Sequence, residues 1–141
     1  MKKKILRYIS ACLLAVAILS TVAFAAMEAS KYIQTTVVGV TTKANGVIEF
    51  DCTITATDIY PDVGVRWLKI YEDGTHVATY DYEDPGYSYM MGHDDFSYTA
   101  TVTHQGTVGK EYHATVCFFV GDEYSGGDGH TQGSAIVTAK K

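Results

Sequence analysis

The chain has 141 residues, 11 of them basic and 16 acidic, for a formal net charge of −5. That length suits one domain with a modest core. The acidic balance argues against nucleic acid and anionic lipid surfaces as partners, because both carry the same sign of charge.

The N-terminus opens with Lys2, Lys3, Lys4 and Arg7 and continues in an apolar run from Ala11 to Leu19. Ala23-Phe24-Ala25 follows shortly after. A basic head, an apolar middle and a small-x-small ending is the pattern of a secretory signal peptide. A helical leader over 1–25, cut after Ala25, is the expectation. The stretch from Ala11 to Ala26 falls short of the ~20 residues a membrane span needs, which disfavours a retained anchor. Ile9-Ser10-Ala11-Cys12 resembles a lipoprotein box, but it precedes the apolar stretch that such a box should end. The domain is then 26–141, secreted to the extracellular space or the cell surface, and it meets a membrane only during export. The lysine-rich leader suits a bacterial source. Its removal takes four of the 11 basic residues and none of the acidic ones, leaving seven against 16, a balance of −9.

Period-2 alternation dominates the rest of the chain. A first strand spans Tyr32 to Thr42, and Asn45-Gly46 is a hairpin signal. In the second strand Ile48, Phe50, Cys52, Ile54 and Ala56 point one way. Asp58-Ile59-Tyr60-Pro61-Asp62 reads as a loop ending it. The third strand, Gly64 to Glu72, carries Trp67, and Asp73-Gly74 turns into a fourth from Thr75 to Tyr82. Residues 83–94 form the longest irregular stretch. The fifth strand is expected to bury Phe96, Tyr98, Ala100 and Val102. After a loop over Gln105 to Lys110, the sixth runs from Glu111 to Gly121 with Tyr112, Ala114, Val116 and Phe118 on one face. Asp122 to Gly129 reads as a Gly-rich loop, and Thr131 to Ala139 as the seventh strand. Seven short strands separated by turns predict an all-β, antiparallel, two-sheet sandwich.

Cys52, Trp67 and Cys117 fall on the second, third and sixth of these strands. In that placement the chain resembles immunoglobulin domains, with their core Cys, Trp and Cys. Tyr112, Ala114 and Val116 resemble the start of strand six in fibronectin type III domains. The resemblance covers residues 32–139 and implies an immunoglobulin-like topology; it carries fold, not activity. It also implies a Cys52–Cys117 disulfide, which suits an oxidising compartment. Such a bridge would stabilise by roughly 4 kcal/mol in the chain-entropy model. Parity opposes it, since Cys117 shares a face with His113 and Thr115, opposite Val116 and Phe118. Either a bulge near Phe118-Phe119 shifts the register, or Cys52 is a buried thiol and Cys117 an unrelated one.

In a sandwich of this type the loops after strands two and six lie at one end. They bring Asp58, Tyr60 and Asp62 towards Asp122, Glu123, Tyr124, Ser125, Asp128 and His130. Tyr, Ser, Gly and Asp are the residues of adaptable recognition loops. Tyr60, Asp62, Tyr124, Ser125 and Asp128 are therefore candidate binding residues for a protein or a glycan. The plainer alternative is a solubilising hairpin loop. A second candidate is the group Tyr80, Tyr82, Tyr87, Tyr89, Met90, Met91 and Tyr98. Some of these rings fill the core, and Tyr87 and Tyr89 are candidates for an exposed aromatic platform.

The acidic loops offer oxygens to calcium without the spacing of a calcium-binding loop. Histidines 76, 93, 104, 113 and 130 show no zinc-ligand spacing, although His104 and His113 flank one loop. No cofactor or metal is expected. No Gly-x-Ser-x-Gly elbow or phosphate loop is present in the sequence. The chain is read as a secreted, non-enzymatic binding or structural module. The alternative is a small exported toxin-like, bacteriocin-like or inhibitor protein.

Overall fold

The computed structural model describes residues 30–122 and 124–141. The leader expected over 1–25, with its cleavage point, lies outside the described residues, as does Glu123. The described chain is all-β and antiparallel, in one seven-stranded sheet. Its strands are β1 (Ile33–Thr42), β2 (Val47–Glu72), β3 (Thr75–Asp81), β4 (Met91–Gln105), β5 (Glu111–Asp122), β6 (Gly126–Gly133) and β7 (Val137–Thr138).

The spine is β2, a 26-residue strand that runs straight through the segment expected to be a loop. Its first half pairs with β1 on one edge and β4 on the other, from Thr42↔Ile48 and Ile48↔His104 onward. Its second half pairs with β5 from Asp62↔Gly121 to Glu72↔Tyr112, and with β3 from Trp67↔Asp81 to Glu72↔Thr75. What corrects the loop expectation at 58–62 is a large bulge. Thr55 faces Ser97 and Tyr60 faces Asp95, so residues 56–59 stand opposite Phe96 alone. A bulge bends a strand without ending it, and it tolerates Pro61, which has no N–H to give the ladder.

Three other boundaries move. β4 begins at Met91, after a 3₁₀ turn over Ser88–Met90, which shortens the expected irregular stretch. Phe96, expected inside, is 55% exposed, because it spans the bulge beside Asp94, whose φ of 53° breaks the alternation. Tyr98 is half-buried rather than fully inside. The Gly-rich stretch after β5 is mostly strand: β6 starts at Gly126, and the seventh strand expected over 131–139 splits into the end of β6 and a two-residue β7.

Turn chemistry behaves as the residues dictate. Asn45 and Gly46 take φ of 61° and 78°, and Asp73 and Gly74 take 46° and 82°. These are the left-handed values that tight hairpin turns need.

One core holds the sheet together. Phe50 and Ile54 from the first half of β2, Leu68 and Ile70 from its second half, and Val116 and Phe118 from β5 are all fully buried in a single cluster. Inward faces from both halves of β2 meet there, so the sheet curls around them.

The cysteines do not bridge. Cys52 is fully buried, opposite Ala100, whereas Cys117 is half-buried, opposite Trp67 and Thr131, and both are free thiols. The bulge that would have turned Cys117 inward falls instead between Val65 and Trp67 on the partner strand, and β5 keeps its parity. Burial first, and the neighbouring Asp51 charge second, push the Cys52 thiol pKa up to about 12. Burial also raises Cys117, against a hydrogen bond with Thr131 and the charge of Arg66.

Candidate functional site

At one end of the curled sheet three segments converge. Pairing of Ile33 with Ala56 brings Tyr32 to the bend of β2. Pairing of Asp62 with Gly121 sets Tyr60 and Pro61 beside the end of β5. The β5–β6 hairpin closes at Asp122↔Gly126, carrying Ser125. Tyr32, Tyr60, Pro61, Gly121, Asp122, Ser125 and Gly126 line an open hollow of about 290 Å³.

Its aromatic wall is fixed by packing. The Tyr32 and Tyr60 rings meet edge to face, 5.5 Å between centroids at 74°, a favoured aromatic geometry. Thr57 Oγ1 donates to the Lys31 carbonyl at 3.0 Å and lies 3.3 Å from Tyr60 Oη. The Lys31 ammonium sits 5.6 Å from the centre of the Tyr32 ring.

The opposite wall depends on glycine. Gly121 has φ of 153°, and a Cβ there would lie 2.4 Å from Gly127 Cα and 2.7 Å from the Gly126 carbonyl oxygen. The backbone therefore crosses itself closely where β5 turns into β6. Beyond it, the Tyr124 amide donates to Asp122 Oδ1 at 2.8 Å. That bond first, and hydrogen bonding from Ser125 second, hold the Asp122 carboxyl below its ordinary pKa, so it is a carboxylate at neutral pH.

Of the residues singled out from sequence, Tyr60 and Ser125 line the hollow. Tyr124 stands beside it, 96% exposed at the hairpin tip. Asp62 is turned away to His93 Nδ1, at 2.8 Å. Asp128, on β6, accepts a hydrogen bond from Ser30 Oγ. Tyr87 and Tyr89 belong to a separate cluster with Tyr80, at centroid distances of 5.1 Å for Tyr80–Tyr87 and 6.1 Å for Tyr87–Tyr89. Tyr89 is 44% exposed, Tyr87 is half-buried, and Met90 and Met91 are buried, so this is a core margin with one open ring rather than a broad platform. His104 and His113 do not meet: His104 Nδ1 is 2.8 Å from Tyr80 Oη, while His113 stacks on Tyr71 at 4.9 Å. Among the described residues, no group of three or more His, Cys, Asp or Glu is placed to hold a metal ion.

Sequence reasoning missed Tyr32. It lies just before β1, and only the long-range pairing of β1 with the β2 bend brings it to Tyr60.

Comparison with family models, with curated proteins and with solved structures returned no match.

Proposed function

We propose that this is an exported, non-enzymatic, immunoglobulin-like sandwich module that binds a protein or a glycan through the end built from the β2 bend and the β5–β6 hairpin. The sandwich reading draws support from the pairing order. The first half of β2 pairs with β1 and β4, its second half pairs with β3 and β5, and β5 in turn carries β6, while β4 also follows β2 past the bend to Gly64. This is the order of the two sheets of an immunoglobulin sandwich, with the second and third strands run together. Tyr112 adds to it. It stands at the start of β5, and its hydroxyl accepts the Thr107 amide at 2.7 Å, the bond of a tyrosine corner.

The binding reading is carried by one observation: Tyr32, Tyr60, Asp122 and Ser125 are gathered around one open hollow at the end where such sandwiches carry recognition loops. Rigid phenol rings supply contact area at low entropic cost, and a carboxylate and a hydroxyl supply orientation.

The test is a glycan array probed with the full chain, alongside pulldown from cell-envelope fractions. For any ligand found, Tyr60→Ala combined with Tyr124→Ala is expected to weaken binding at least tenfold. Undiminished binding by a folded double variant would remove this end from the function.

A further inference from the structure

We propose that the hollow takes an amino sugar, recognised by its free ammonium group. The inference rests on the preceding reading of the same end and narrows its ligand from protein or glycan to a glycan bearing unacetylated amines.

Charge argues first. The Asp122 carboxylate is the charged side chain in the lining, and it is held ionised by the hairpin itself. A carboxylate offers about four acceptor positions, so the bonds from Tyr124 and Ser125 leave room for another donor. The full chain's formal net charge of −5 attracts cations to the surface at large.

The aromatic wall argues the same way. Tyrosine faces attract ammonium groups through the ring quadrupole. The Lys31 ammonium, 5.6 Å from the centre of the Tyr32 ring, is a cation of the chain's own that a ligand ammonium would have to displace there. A neutral, N-acetylated sugar would lack the charge attraction to the carboxylate and the cation–ring attraction.

Size and polarity choose a sugar over a lysine side chain. At about 290 Å³ the hollow is at the small end of ligand pockets, right for a single ring and wide for an alkyl stem. Tyr32, Tyr60, Ser125 and Asp122 line it with two phenols, a hydroxyl and a carboxylate. One ammonium has three donors and no acceptor, so it cannot use all of these groups. A pyranose carrying one ammonium and several hydroxyls can.

The test is calorimetric titration of the full chain with a glucosamine tetramer and with its N-acetylated counterpart, at moderate salt. The free-amine tetramer is expected to bind at least tenfold more tightly. Asp122→Asn, which keeps an acceptor for the Tyr124 amide, and Tyr32→Ala should each remove about tenfold. Asp84→Asn, at an exposed carboxylate in the β3–β4 connection, should change nothing. Thermal melting confirms that each variant is folded. Equal or tighter binding of the acetylated tetramer, still dependent on Tyr60, overturns the ammonium proposal and leaves the glycan-binding reading standing. Preference for a lysine peptide of the same charge overturns the choice of a sugar. Loss of binding in Asp84→Asn equal to that in Asp122→Asn would reduce the effect to bulk charge and overturn the site. No binding to either tetramer, with a glycan found elsewhere through Tyr60 and Tyr124, overturns the ammonium proposal alone.

Discussion

The hydroxyl of Tyr112 donates to the Glu72 carboxylate while accepting the Thr107 amide. One fully buried side chain thereby ties the end of β2 to the corner between β4 and β5. Hydrogen bonds to charged groups contribute about 1.5–3 kcal/mol. Tyr112→Phe keeps the ring but strands the Thr107 N–H. It should lower unfolding free energy by about 2 kcal/mol in urea titration, with an unchanged m-value. A loss below the experimental scatter would show that the corner is held by packing alone.

The two thiols should behave oppositely. Cys52 is fully buried with its pKa pushed up to about 12, so it stays a protonated thiol across the working range of thiol reagents. Cys117 is half-buried on the outer face. Under native conditions at pH 8, a disulfide-exchange reagent should label Cys117 and spare Cys52, which reacts after unfolding. Mass spectrometry of tryptic peptides reads this directly. The melting temperature of the described domain should not respond to reductant, since Cys52 and Cys117 are not bridged.

Cys52 also gives a signed pH effect. The unfolded thiol ionises near 9.0, whereas the folded one holds its proton to about 12. Between those values the native state binds more protons than the unfolded state, so stability falls as pH rises. The slope from this group is about 1.4 kcal/mol per pH unit at most. Cys52→Ala should be less stable at neutral pH, through lost packing, and show a shallower alkaline decline. Parallel declines in the two proteins would assign the alkaline loss to other groups.

The local parts of this fold were legible in the sequence, and the long-range parts were not. Ile48, Phe50, Cys52 and Ile54 announce their buried face because a strand repeats every two residues. Asn45-Gly46 and Asp73-Gly74 announce their turns because both dipeptides tolerate positive φ. Pro61 and the polar run around it look like a loop from either direction. That segment stays in β2 because β4 and β5 pair on past it, and those partners lie far along the chain, as in Gly64↔Met91 and Asp62↔Gly121. Phe96 escapes the alternation for the same reason, since its exposure follows from a bulge on the opposite strand. The site divides likewise. Tyr60 and Ser125 follow from turn composition, but Tyr32 enters only through the Ile33↔Ala56 pairing.

Acid should act through His104. Its ring is partly buried against Tyr80 and Tyr112, and burial depresses its pKa, with Glu72 pulling weakly the other way. The unfolded imidazole therefore takes up its proton first as pH falls. The stability this group confers is complete above its ordinary value of 6.5 and is lost as pH falls through the lower folded value. His104→Gln should flatten the stability profile in that window, measured as urea midpoints from pH 7.5 to 5. A profile unchanged by the substitution would transfer the acid sensitivity to the carboxylates.

The hairpin that walls the hollow can be tested by contrasting two glycines. Gly121 combines φ of 153° with a Cβ position 2.4 Å from Gly127 Cα, and both the strain and the clash involve backbone that cannot rotate away. Gly121→Ala should therefore cost about 1–3 kcal/mol or more and weaken any ligand held at Asp122 and Ser125. Gly129, four residues into β6, has ordinary φ, and its Cβ would meet only the Phe118 carbonyl oxygen at 3.5 Å. Gly129→Ala should stay within about 0.5 kcal/mol of the parent and leave ligand binding intact. Urea midpoints and titrations on both variants separate the outcomes. If Gly121→Ala were as benign as Gly129→Ala, the close crossing of β5 and β6 would not be what shapes the hollow.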